Sequence, residues 1–268
     1  MSEEILDLNL TYRTALAGIH RAYVFMRFGV QGVSVSDFEQ TALRGRRPEL
    51  LIVPEPIASD VLQDYLTQFR SWVVGNGLRE LVETYCQFLD EVYVRGLEVL
   101  TTPDLDRRRR VFEQASLRDK IRRLRDEMDI EGVFGRHFEN FSAARNALTH
   151  GVGTVRQRDC TDGDELVLML GGIDLYFVGD DGVRYRVGDE PNGMRVREPL
   201  ETVNVNREKR WKVGQKVILS AYELAEICFM ANHDAIDILD ALRGFGLRHG
   251  VIMRPAKKIR GGEQDDGS

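Results

Sequence analysis

The chain has 268 residues, 43% hydrophobic and 30% charged, enough to bury a sizeable core in one large domain or one domain with an insertion. Its net charge of −6 and pI near 5.5 exclude a protein that coats nucleic acid over a long surface, which must neutralise many phosphates, but they leave room for a local basic cleft. Cys86, Cys160 and Cys228 contain no CxxC pair, Met1–Asp7 is acidic rather than signal-like, and no apolar run nears the roughly 20 residues of a membrane span, so a cytoplasmic protein with no disulfide framework, zinc site or membrane partner is expected.

Leu8 to Val30 repeats apolar groups at helical spacing (Leu8, Tyr12, Leu16, Ile19, Tyr23, Met26) and predicts a long first helix closed by Gly29 and Gly32. Gly45, Pro48 and Pro54 around Leu50–Val53 read as a loop with a short strand. Ser59 is placed to cap a helix from Asp60 through Leu62, Leu66, Phe69 and Trp72, which Gly75-Asn76-Gly77 interrupts before an amphipathic pattern resumes over Leu78–Leu100. One charged helix is predicted over Leu105–Met128, and another over Val133–His150, ended by Gly151. From Thr154 to Lys212 the character changes. Asp162-Gly163, Gly171-Gly172, Asp181-Gly182 and Asn192-Gly193 punctuate it as hairpin turns, with short strands at Glu165–Leu170, Ile173–Val178 and Val183–Val187. A last helix is predicted over Leu219–Leu242, and Lys257–Ser268 is a polar, disordered tail. The expected organisation is a mainly α helical bundle: 1–153 with the motif described next, a β-hairpin-rich insertion at 154–213, a C-terminal helix at 214–254 that completes the bundle, and the tail at 255–268.

The segment richest in chemistry is Phe134 to Gly151. Phe134, Phe138, Phe141 and Leu148 share one helical face, and Arg145 falls in the middle of it. A cation there must find a carboxylate or line a cleft. Asn146 and His150, four apart, stack on an adjacent face, with His150 in the last turn. Arg145-Asn146-Ala147-Leu148-Thr149-His150 reads R-N-x-x-x-H. Arg13…His20 and Arg243…His249 also place His five to seven residues after Arg, but only the Arg145 copy has the Asn, an apolar face and a helix end.

This stretch resembles the active-site helix of the HEPN superfamily, helical bundles whose ribonuclease members carry R-x(4–6)-H late in the fold, often with Asn after the Arg. The resemblance implies a metal-independent endoribonuclease with no cofactor, whose paired Arg/His sets come from two protomers or two domains. Arg145 would bind the scissile phosphate, His150 would act as general base or acid at the 2′-hydroxyl, and Asn146 would orient His150 or a phosphate oxygen. The implied products are a 2′,3′-cyclic phosphate and a 5′-hydroxyl. The implied partners are an RNA substrate, a second copy of the chain in a homodimer, and an antitoxin or sensor protein, with a role as toxin or antiphage effector. Val152 stands where toxins paired with nucleotidyltransferase antitoxins have a Tyr, so the chain departs from that form.

Other readings accompany these residues. Arg145 has a structural alternative, an ion pair to Glu83 or Glu91, and His150 one as a residue suited to the helix dipole. The basic run Arg107–Arg110 with Arg118, Lys120, Arg122, Arg123 and Arg125 reads first as a solvated face laced with Asp and Glu. Its functional alternative gives Arg122, Arg123 and Arg125 phosphate contacts beside the motif helix. Asp159–Asp164 is excluded as a calcium loop because Leu170 occupies the twelfth position. Besides the nuclease, the sequence is compatible with a non-catalytic HEPN-like module that binds a protein partner or nucleotide through Arg145, and with a helical scaffold in which Arg145 is buried and neutralised within its own chain.

Overall fold

In the computed structural model, residues 6–32, 58–101, 103–150, 153–187, 194 and 200–254 are described. The loop expected at Gly45–Pro56, the Asn192-Gly193 turn, Gly151 and the tail from Lys257 lie outside them. Six α-helices occur among the described residues: α1 (Asn9–Gln31), α2 (Ser59–Val99), α3 (Leu105–Glu113), α4 (Leu117–Met128), α5 (Gly135–His150) and α6 (Ala221–Arg248). A three-stranded antiparallel sheet has the order β3-β2-β4, from β2 (Glu165–Val178), β3 (Arg184–Arg186) and β4 (Glu201–Lys212). The two-residue strands β1 (Leu6–Asp7) and β5 (Met253–Arg254) pair in parallel and tie the two ends of the described chain together. The mainly helical architecture with a small β segment agrees with the sequence reading.

Helix α2 is the spine and touches every other helix. Its 41 residues make it roughly 60 Å long at 1.5 Å per residue. The break expected at Gly75-Asn76-Gly77 does not occur, because the glycines serve close packing. A Cβ on Gly77 would meet Leu224 Cδ2 of α6 at 2.6 Å, and one on Gly75 would contact Leu148 of α5 at 3.6 Å. Ser59 is the first helical residue rather than the cap, a position held by Ala58.

The single helix expected over Leu105–Met128 is two. Ser116 ends the continuity by accepting the Asp119 backbone N–H at 3.2 Å, an N-cap that starts α4 afresh. Helix α6 begins with a full capping box, in which Ser220 and Glu223 exchange backbone and side-chain bonds, and it runs six residues beyond the predicted end at Leu242.

Gly171-Gly172 is likewise not a turn: β2 runs straight through it, paired residue for residue with β4 from Glu165↔Lys212 to Tyr176↔Glu201. A Cβ on Gly171 would lie 3.0 Å from Phe134, and one on Gly172 would lie 2.6 Å from Glu226 Oε1, so both glycines let α5 and α6 approach the sheet. Two of the other expected turns are present, with Gly163 at φ +58° and Gly182 at φ +75°. Leu166, Leu168, Leu170 and Trp211 join the core formed by Leu78, Phe88, Phe138, Phe141 and Leu242. The sheet therefore shares one core with the bundle.

Candidate functional site around Arg145

Helix α5 lies antiparallel along α2. The Phe138 ring stacks on Tyr85 with centroids 3.8 Å apart, and ten residues later Leu148 reaches Gly75, ten residues earlier on α2. The fully buried face of α5 is Phe138, Phe141, Ala144 and Ala147, and Leu148 is only half-buried. Arg145 consequently sits at the edge of the apolar face rather than at its centre. Two alanines replace the larger side chains that would have moved α5 away from α2.

Arg145 is half-buried, its Nε is inaccessible to solvent, and among the described residues this nitrogen has no hydrogen-bond partner. No carboxylate among the described residues pairs with the guanidinium. Glu83 is exposed and reaches Arg79 at 3.8 Å, while Asp90 pairs with Lys120 of α4. The Arg145 charge does act on the Cys86 thiol of α2. Burial pushes that thiol's pKa up, and the cations of Lys120 and Arg145 pull against the rise. Asn146 is half-buried on the neighbouring face, and α5 ends at His150, whose side chain lies outside the described residues.

The N-terminal end of α5 is fixed by a different group. Asp234 of α6 is fully buried, accepts the Phe134 backbone N–H at 2.6 Å and accepts the Tyr85 O–H. Gly132 makes room for it, since a Cβ there would lie 2.1 Å from Asp234 Oδ1. Burial pushes the Asp234 pKa up to about 6, although both hydrogen bonds favour the carboxylate. Thus α5 is clamped at its start and packed along its length. His137, on the same helix, is half-buried with its Nδ1 unpartnered among the described residues, and burial lowers its pKa.

The basic run is mostly paired. Arg122 meets Asp119 at 2.8 Å, Arg125 meets Asp126 at 3.0 Å, Arg108 meets Glu127 at 2.6 Å and Arg109 meets Glu113 at 2.7 Å. Arg123 is half-buried and has no ion pair among the described residues. Lys120 turns inward, buried beside Asp90 and 5.4 Å from the Phe112 ring centroid. Lys120→Ala is expected to destabilise the fold by about 3–5 kcal/mol in urea unfolding, because it strands the Asp90 carboxylate, whereas Arg122→Ala should change it by less than about 0.5 kcal/mol. Equal effects would mean that Lys120 is a surface residue like its neighbours.

Beyond the C-terminal end of α5 lies a groove of about 790 Å³ bordered by Leu148, Thr149 and Gly153, by residues 216–218 and by one face of α2. The side facing α2 is held together by the backbone: Gly153 N–H bonds Ala147 C=O at 3.1 Å, and Val217 N–H bonds Gly153 C=O at 2.7 Å. Thr149 is four residues beyond Arg145, so the groove rim lies one helical turn from the guanidinium. Of the apolar residues Leu62, Leu66, Phe69 and Trp72 through which the sequence predicts this helix to pass, only Leu62 is buried. The alternative row Tyr65, Phe69, Trp72 was visible at the same spacing. Among the described residues, no cluster of three or more His, Cys, Asp or Glu side chains is placed to hold a metal ion, and no helix is long and apolar enough to cross a membrane. Comparisons with protein-family models, curated proteins and solved structures find no match to this chain.

Proposed function

We propose that this chain is a metal-independent endoribonuclease of the HEPN type, acting in the cytoplasm as a homodimer and held in check by an antitoxin or sensor until it cuts RNA as a toxin or antiphage effector. The observation that carries the reading is Arg145. A guanidinium with a dry Nε and no carboxylate partner among the described residues is a cost that packing does not offset, and an incoming phosphate would offset it. Stacking on Tyr85 and the Asp234 clamp hold its helix rigidly, as a preorganised electrostatic site requires.

On this reading His150 takes the proton of the RNA 2′-hydroxyl, and the 2′-oxygen attacks the adjacent phosphorus. Arg145 stabilises the charge that grows on the non-bridging oxygens, and Asn146 orients His150 or a phosphate oxygen. The 5′-oxygen leaves with a proton from an imidazole, so one strand becomes a 2′,3′-cyclic phosphate end and a 5′-hydroxyl end. The resemblance supplies the second copy, whose Arg/His set would face the first. The roles of Arg122 and Arg125 as RNA contacts are weakened by their acidic partners, which leaves Arg123 as the best placed of the three for a phosphate.

A guanidinium with no carboxylate partner among the described residues also favours a second reading, a non-catalytic module that binds a nucleotide or an anionic partner through Arg145 and makes no use of His150. The cut ends separate the readings. RNA incubated with the protein should acquire 5′-hydroxyl ends that a polynucleotide kinase can label directly, and 3′ ends that need opening of a cyclic phosphate before ligation. Fragments with 5′-phosphate ends would contradict the 2′-hydroxyl mechanism, and RNA that is bound but intact in cells arrested by the protein would favour the module.

A further inference from the structure

Three aromatic side chains on α2, Tyr65, Phe69 and Trp72, follow one another at spacings of four and three residues and so form a single row on one helical face. Along the axis they are separated by about 6 and 4.5 Å. They are 50%, 36% and 64% exposed, and the Phe69 and Trp72 rings lie 6.0 Å apart at 25°, their faces nearly parallel. Ile218 closes the opposite wall, also exposed. Open aromatic faces of this kind cost solvation, and a fold that only needed an amphipathic helix would bury them or replace them with polar groups.

Charge decides among occupants. The chain carries a net charge of −6, yet no Asp or Glu among the described residues lines this groove, whereas Arg79 and Lys216 do. The contact from Arg79 to Glu83 at 3.8 Å is between exposed side chains and holds the guanidinium weakly. Lys216 has no ion pair among the described residues. Exposed π faces flanked by cations are the combination that holds unpaired nucleobases and their phosphates. The groove also begins at Thr149, one turn from Arg145, so a strand lying in it would run on toward that side chain.

We propose that this groove is a stacking subsite for single-stranded RNA, with Tyr65, Phe69 and Trp72 as the platforms for unpaired bases and Arg79 and Lys216 as the phosphate contacts. The proposal rests on the nuclease reading of Arg145 for its purpose, and it adds the substrate class: RNA that is unpaired beside the cut. Duplex RNA hides its base faces and cannot use such a row.

The test uses a 2′-O-methyl oligouridine of about twelve nucleotides, which has no free 2′-hydroxyl and cannot be cut, so binding is read whether or not the protein is a nuclease. The chain has two tryptophans, and Trp211 is 7% exposed, so in the full-length Trp211→Phe variant the emission comes from Trp72 alone. Saturable quenching of that emission is expected. Tyr65→Ala and Lys216→Glu should each weaken binding, by about tenfold or more for the ring, and a duplex of the same length should not compete. An oligonucleotide that does not bind, or that binds both variants as tightly as the parent protein, would overturn the proposal. So would a change in Trp72 emission that follows protein concentration without RNA, since a second copy would then occupy the groove. Loss of cleavage in the wild type with intact oligonucleotide binding would count against the nuclease reading and leave the subsite standing.

Discussion

Arg145→Met is expected to reduce RNA cleavage by about a thousandfold while leaving the melting temperature within about 2 °C of the wild type, or raising it. The two halves of this result have different causes. Cleavage falls because the charge that would face the phosphate is gone. Stability does not fall because no carboxylate among the described residues loses a partner, and a thioether side chain tolerates the half-buried, apolar edge of α5 better than a guanidinium whose Nε is buried without a partner among the described residues. A structural arginine behaves oppositely: removing one member of a buried ion pair costs about 3–5 kcal/mol. Lys120, buried against Asp90, supplies that contrast within the same protein. If Arg145→Met melted well below the wild type, the arginine would be a strut, and the scaffold reading would take precedence.

A large effect on stability is expected at Asp234. Asp234→Ala should destabilise the protein by about 3–5 kcal/mol, because it leaves the Tyr85 O–H and the Phe134 N–H buried with no acceptor. Asp234→Asn keeps an acceptor for Phe134 and a polar neighbour for Tyr85, so its cost near pH 7 should stay below about 1.5 kcal/mol. The pH dependence separates them further. Burial raises the Asp234 pKa from its ordinary 3.8 to about 6, so the folded protein holds this proton more tightly than the unfolded chain does. The unfolded state then binds fewer protons between about pH 4 and 6, and the Asp234 contribution makes stability fall as pH rises through that window and level off above it. The total fall is at most about 3 kcal/mol. The wild-type profile should therefore exceed that of Asp234→Asn increasingly toward low pH. Two parallel profiles in urea unfolding at pH 4 to 7 would show that the carboxyl is not buried as described.

How much of this was legible in the sequence depends on what each residue type can mean. The motif helix was legible because Phe138 and Phe141 mark a buried face and Arg145 interrupts it. The shift of Arg145 to the edge was not, since it follows from how closely Ala144 and Ala147 let α5 approach α2. Gly75-Asn76-Gly77 and Gly171-Gly172 were misread as breaks for one physical reason. A missing Cβ serves a turn or a close approach equally well, and only the packed neighbour, Leu224 for Gly77 and Glu226 for Gly172, decides which.

Strand β4 escaped the reading because its inward side carries Arg207 and Lys209 among apolar residues. These charges are satisfied by Glu226 at 2.5 Å and Glu223 at 2.7 Å from α6, partners more than a dozen residues away in the chain. The break before α4 was legible in principle, since Ser116 and Asp119 form the N-cap pattern. The continuous run of charged residues on both sides obscured it.

The most direct test of the central claim is cleavage of a labelled single-stranded RNA in excess EDTA by the full-length wild type, Arg145→Ala and His150→Ala, each checked for folding by circular dichroism. The account predicts that the wild type cuts, that both folded variants are at least about a thousandfold slower, and that chelation changes nothing. Equal cutting by all three proteins, or cutting by the wild type that EDTA abolishes, would contradict it.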